Sequence, residues 1–433
     1  MTLYNPDVAE AVVAQVADRL GPVEADAFRA AYLDALDRTI TVTDRRAFVI
    51  TGDIPAMWLR DSTAQLTPYL HLLRDDPVLA DTVGRVVERQ LEYICLDPYA
   101  NAFNDAPNRA GHSDDATEMS AWTWERKYEI DSLCYPLQLG YDLWRTTGRT
   151  DHLLDYGRAA RAALRTWSVE TDHEALSGYR FQRFDAPLSD TLEREGRGGL
   201  VAPAGLTWAG FRPSDDACEL GYNIPGNIFA AVVLTYVAEI ARQVLDDQVL
   251  ADDADALRGQ LELAIAAHGV VSHEGTAVYA YEVDGLGRQV LMDDANVPSL
   301  LSLPLLGWCT VNDPLYLATR RLVLSGTNPY FYQGSAASGI GSPHTPEGWI
   351  WPIGLAVQGL TAESAPERAA VLRTLLATDG GTGHMHESFH ADDPTRFTRP
   401  WFSWANAMFC ELVLDVADLR TYRRDAVGRG AMT

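Results

Sequence analysis

The sequence predicts an all-α protein, an (α/α)6 toroid with short β-hairpins in its loops. Three observations carry this: helical hairpins in series, long elaborate loops at one end of nearly every hairpin, and no repeat unit. Apolar residues recur at helical spacing over roughly 25–38, 62–74, 77–94, 128–146, 150–169, 217–246, 250–268, 297–307, 313–325, 350–361, 364–378 and 400–419, after an N-terminal extra. Short links at 74–77, 146–150, 246–250, 307–313 and 361–364 alternate with connections ending at 61, 127, 216, 296, 349 and 399 that are mostly long and rich in Gly, Pro, Trp and charge. The units share no fixed period, which disfavours a solenoid, so a closed ring of six pairs with its long loops on one face fits best. YRFQRF at 179–184 and TAVYAYEV at 276–283 alternate as strands and would form small hairpins on that face. No Gly- or Ser-rich linker divides the chain, so residues 1–433 are expected to form one domain, with a short basic tail from about 421.

Charge and cysteines narrow the class. A formal net charge of -25 argues against a nucleic-acid partner, because phosphate-backbone binding needs clustered Lys and Arg, and disfavours an anionic membrane surface equally. No stretch is expected to span a bilayer. Single cysteines at 95, 134, 218, 309 and 410, without a CxxC pair, predict buried thiols rather than disulfides or a zinc site. The first twenty residues lack a basic n-region and a small-residue cleavage site, and a cytoplasmic location is the expectation.

The loops hold the chemistry. Trp58, Trp122, Trp124, Trp208, Trp349, Trp351, Trp401 and Trp404 lie in or beside them, among charged and amide side chains. That mixture suits a pyranose, whose CH face stacks on an aromatic ring while its hydroxyls take hydrogen bonds. TGDIPAMWLRDST places Arg60 and Asp61 after Trp58, a pair able to grip vicinal hydroxyls once partly desolvated. WAGFRPSDDA puts Asp215 and Asp216 near Arg212 at the expected start of a long helix. One of them is expected to cap the helix while the other faces the pit as an acid, and the residues alone do not choose. GTGHMHESFHADDP sets Glu387 among His384, His386 and His390. A metal site is one reading, although the spacing matches no zinc motif; a general base oriented by imidazoles is the other. GYNIPGN, DDANVPS and GIGSPHTPEGWIWP add Asn227, Asp294, Asn296, His344 and Trp351 on the same face.

These segments resemble those of glycoside hydrolase family 125, the exo-α-1,6-mannosidases. TGDIPAMWLRDS, GFRPSDDA, NIPGN, DANVPSLLSLP, GSPHTP, MHESFHADDP and FTRPWFSWAN look like that family's signatures in its order, from roughly residue 40 to 412. The resemblance implies an (α/α)6 fold, inversion at the anomeric carbon and no metal or other cofactor. It also implies that Asp215 or Asp216 is the general acid, that Glu387 is the general base, and that Arg60 and Asp61 hold the terminal mannose. The expected partner is a mannose-containing glycan. A sugar epimerase using the histidines, or a noncatalytic glycan-binding protein, are the alternatives on the same toroid.

Overall fold

Several helices begin where the chain supplies a capping oxygen and a proline, whose missing N–H costs nothing in the first turn. The computed structural model describes residues 2–43 and 46–422. In chain order the main helices are α1 (Pro6–Leu20), α2 (Pro22–Asp34), α3 (Leu59–Ala64), α4 (Pro77–Leu96), α5 (Asp131–Thr147) and α6 (Tyr156–Glu170). They continue with α7 (Ile224–Gln243), α8 (Gln248–Ala264), α9 (Pro314–Val323), α10 (Pro352–Leu360), α11 (Ala365–Ala377) and α12 (Ser403–Val416). Asn5, Asp76, Asn223, Asp313 and Ser364 cap α1, α4, α7, α9 and α11, each ahead of a first-turn proline.

Inner neighbours pack in order, α3 on α5, α5 on α7, α10 on α12 and α12 back on α3. Outside them, α4 covers α5, α8 covers α7, α11 covers α10 and α2 covers α12. The sector between α7 and α10 departs from expectation. Residues 301–309 form consecutive turns and bends instead of the helix predicted over 297–307. Pro304 explains the difference, since in the interior of the expected helix it removes a backbone donor, clashes with the preceding turn and restricts the residue before it. The segment is tied down instead by side chains. Tyr135 donates to Val297 O, Tyr316 donates to Leu301 O, and the Asp293 carboxylate accepts from the amides of Leu300 and Leu301.

One apolar cluster runs from Tyr4 to Leu414. Contrary to the sequence expectation, α7 is long and apolar enough by length and composition to cross a bilayer, but 89% of its most apolar window is buried inside the protein. A helix covered by α5 on one side and α8 on the other has no polar face to display.

The strands are short, and three small sheets stand at the N-terminal ends of inner helices. Met57–Trp58 leads into α3 and pairs with Ala102–Phe103, which pairs with Thr123–Glu125. Tyr222–Asn223 leads into α7 and pairs with Glu282–Val283. Trp349–Ile350 leads into α10 and pairs with Ser388–His390, which pairs with Asp393–Thr398. These pairings place the loops carrying Trp58, Glu125 and Glu387. TAVYAYEV splits into Thr276–Tyr279 and Glu282–Val283, whereas YRFQRF contributes only a single bridge, Gln182 to Ala116. The cysteines form no disulfide among the described residues. Most of the expected basic tail, residues 423–433, lies outside the described residues.

Candidate active site

Arg60 sits in the first turn of α3 and is nearly fully buried. Its guanidinium faces four carboxyls. Nη1 lies 2.7 Å from Glu129 and 3.4 Å from Asp131, Nη2 lies 3.2 Å from Asp215, and Nε lies 3.4 Å from Asp61. The opposite face of the cation lies over the Trp404 ring, 5.3 Å from its centroid. One cation cannot neutralise four buried anions, so protons are retained. Burial pushes Asp61 up to about 6, against the pull of Arg60 and with the help of the Asp215 charge. Burial likewise raises Asp131 to about 6 and Glu129 well above the ordinary carboxyl range.

Thr123–Glu125 is a strand, and residues 126–129 lead from it to α5, which begins at Asp131. Alternate side chains along this segment take different surroundings. Glu125 and Lys127 face the cavity and Glu129 reaches the Arg60 cluster behind it, while Arg126 turns away to Asp97 and Tyr128 packs against Trp208.

Asp215 is presented by a tight hairpin. Phe211 and Ala217 bridge, Arg212 N donates to Asp216 O at 2.8 Å, and Asp215 N donates to Arg212 O at 2.9 Å. Asp215 takes a left-handed conformation, φ +66°, which Asp tolerates better than most residues. This turns its carboxylate into the cavity, where Asn101 Nδ2 donates to it at 3.2 Å, while Lys127 Nζ donates to its carbonyl at 2.7 Å. Burial would raise its pKa, but Arg60, the hydrogen bond from Glu129, Lys127 and His344 together hold it below the usual carboxylate range. Asp216 points elsewhere, with Ser214 donating to it at 3.3 Å and His344 Nδ1 at 3.4 Å. Neither Asp starts the long helix, which begins at Ile224 with Asn223 as its cap.

Glu387 precedes the strand Ser388–His390 and is 7% exposed. Arg399 Nη1 lies 3.5 Å from it. The same guanidinium takes Asp53 at 2.5 Å and lies 4.4 Å over the Phe402 ring, so its position is fixed from three sides. His344 completes the rim between the two carboxyls. Burial alone would lower its pKa, but the bond to Asp216 and the charges of Glu387 and Asp215 push it up to about 9.

Asp215 and Glu387 line one cavity of about 500 Å³, together with Trp58, Arg60, Asp61, Asn296, His344 and Trp351 among the expected residues. Several buried groups at this site lack a hydrogen-bond partner: the indole N–H of Trp58, Trp124 and Trp404, and Oδ2 of Asp61. Unmet donors and an acceptor around a cavity suit a ligand rich in hydroxyls.

Other expected contacts are corrected. Arg212 is locked to Glu282 at 2.5 Å, and Asn227 ties Thr207 and Asn223 backbone together. Asp294 accepts from Asn296 and Ser342, which fixes the Asn296 that does reach the cavity. His386 stacks on Phe397 at 3.6 Å and hydrogen-bonds Thr382. None of these four, nor Asp216, lines this cavity. Of the loop tryptophans, Trp58, Trp124, Trp351 and Trp404 reach it, whereas Trp208 stacks on His173 and Trp401 donates to Asp34. Residues that sequence reasoning missed are Asn101, Glu125, Lys127, Glu129, Asp131, Arg183 and Arg399. The signal for four of them was present as Glu, Lys, Glu and Asp at every second position of ERKYEID. Among the described residues no group of three or more His, Cys, Asp or Glu is arranged to hold a metal ion.

Residues 22–414 match the family described as metal-independent alpha-mannosidase (GH125). The chain is 40% identical over 399 residues to the meiotically up-regulated gene 157 protein of Schizosaccharomyces pombe, covering 87% of this chain and 78% of that protein. Its structure superposes with TM-score 0.95 and 50% identity on a metal-independent alpha mannosidase of Streptococcus pneumoniae, solved as a non-productive complex with alpha-1,6-mannobiose, covering 96% of this chain and all of that one. A glucoamylase from Saccharomycopsis fibuligera matches at TM-score 0.61 and 12% identity, over 95% of this chain and 96% of its own, a likeness of fold alone that places these helices with the glucoamylase-type (α/α)6 proteins. With the family's match spanning nearly the whole chain and every segment that builds the cavity, the protein belongs to glycoside hydrolase family 125, the metal-independent α-mannosidases.

Proposed function

We propose that this α-mannosidase is exo-acting, removes terminal non-reducing α-1,6-linked mannose with inversion, and does so in a single (α/α)6 catalytic domain. Asp215 is the general acid and Glu387 the general base. The observation that carries this reading is the placement of both carboxyls on one cavity, Asp215 beside Arg60 and Glu387 beside Arg399. Inversion needs an acid at the departing oxygen and a base for water on the opposite face, with the carboxyls about 6.5 to 9.5 Å apart. Asp216 is the weaker choice for the acid, because its oxygens are engaged by Ser214 and His344.

The terminal mannose is held by Trp58, Arg60, Asp61 and Trp404, which line the cavity. Its hydroxyls donate to Asp61 Oδ2 and accept from the indoles of Trp58 and Trp404, while the Arg60 cluster closes the floor of the cavity. A closed floor admits a chain end and favours exo action. The α-1,6 linkage draws its support from the mannobiose bound by the Streptococcus pneumoniae relative.

Proton NMR of the anomers released from α-1,6-mannobiose in the first minutes tests the proposal. β-Mannose is expected first. α-Mannose appearing first would rule out the inverting pair, and no release of mannose would remove the α-1,6 assignment.

A further inference from the structure

Behind Asp215 lies a carboxyl that the two-carboxylate scheme leaves without a task. The Glu129 side chain is fully buried. Its Oε2 accepts from Arg60 Nη1 at 2.7 Å and from Ser132 Oγ at 2.7 Å, while Oε1 meets no donor. Arg60 holds Glu129 and the Asp215 carboxyl side by side, one on each terminal nitrogen. Two buried carboxylates on one guanidinium repel, and one proton held by the pair removes that repulsion and makes a donor of the Glu129 carboxyl. We infer that Asp215 and Glu129 work as one single-proton acid, in which Glu129 is a positioning residue that keeps the proton at rest and returns it to Asp215 when the glycosidic oxygen arrives.

The surroundings of the pair support this division. Arg60 and Asp61 face it from α3, Asp131 from α5, Lys127 from the segment before α5, and His344 from the loop before α10. The cations gather on Asp215 and hold it ionised, whereas Glu129 is deeper and its burial favours the neutral form. Alone beside Arg60, Lys127 and His344, Asp215 would have no proton to give at neutral pH. The bookkeeping closes within one turnover. The proton passes from the pair to the glycosidic oxygen, which leaves with the electrons of the broken C–O bond. Water forms the new bond at the anomeric carbon and gives its proton to Glu387. The pair then regains one proton from solvent through the cavity-facing Asp215 as Glu387 releases its own.

This inference rests on the α-mannosidase reading, and the test separates the two. Wild type, Glu129→Gln and Glu129→Asp are assayed on α-1,6-mannobiose and on 2,4-dinitrophenyl α-mannoside, whose phenolate departs without a proton. Glu129→Gln is expected to lose about 100-fold in kcat on mannobiose with KM within about twofold, and less than about tenfold on the aryl substrate. The alkaline limb of its kcat profile is expected to move about one pH unit lower. Glu129→Asp keeps a carboxyl and is expected to keep the wild-type limb and the wild-type ratio of the two rates. Equal losses on both substrates, or an unmoved limb in Glu129→Gln, overturn the inference. If Glu129→Gln does not fold, Glu129→Asp decides alone, and a displaced limb or a shifted ratio in it counts against the inference. A wild type inactive on both substrates overturns the α-mannosidase reading itself.

Discussion

Asp215 and Asp216 are adjacent in the chain yet lie in different surroundings, and a single backbone angle separates them. The left-handed φ of +66° at Asp215 turns its carboxylate toward Arg60, and its neighbour is left to meet His344. That second contact has a measurable consequence. His344 is pushed up to about 9, so its proton contributes stability in full below the ordinary histidine value of about 6.5, and the contribution disappears as pH rises through about 9. His344→Asn is expected to lower Tm by a few degrees near pH 6 and to match wild type above about pH 9.5, followed by thermal melts across that range. Because the ring is 36% exposed, solvent moderates the effect. A Tm difference that widened with pH would show that the ring is neutral in the folded protein.

At the scale of elements, the geometry of the cavity depends on short strands that carry little sequence signal. Gly52 bridges Phe402, and this contact ties the segment carrying Thr51 and Asp53 to the one carrying Arg399 and Phe402. Gly52 has φ +120°, and a Cβ there would meet Trp401 O at 2.5 Å. Only glycine takes both the conformation and the approach without strain. Gly52→Ala is expected to cost about 1–3 kcal/mol in urea unfolding, and to lower kcat by displacing Arg399 from Glu387. A variant of unchanged stability would show that the bridge relaxes freely. In the turns at residues 301–309 the leucine spacing is helical, but Pro304 in the interior prevents the helix.

Across the whole molecule, the net charge of -25 surrounds a cavity whose substrate is proposed to be neutral. Electrostatic steering acts on charged ligands and is screened by salt, so it has nothing to act on here. The kcat/KM on α-1,6-mannobiose is therefore expected to change by less than about twofold between about 0.02 and 0.5 M sodium chloride. A steep salt dependence would mean that a charged aglycone group or an ionic closure of the site governs capture.

The helical hairpins, the placement of long loops and three site clusters are legible in the amino-acid order, because amphipathic period, proline and tryptophan placement and local motif chemistry are properties of neighbours along the chain. That order named Arg60, Asp61, Glu387, Trp58, Trp351, Asn296 and His344, all of which reach the cavity. Only the folded chain turns Asp215 rather than Asp216 into the cavity, engages Arg212, Asn227, Asp294 and His386 in bonds away from its lining, and brings in Glu129 and Arg399. The reason is that a side chain's task in a buried site depends on which charges face it from distant segments. Arg60 meets Glu129 across 69 residues and Asp215 across 155, and local sequence carries no record of such neighbours.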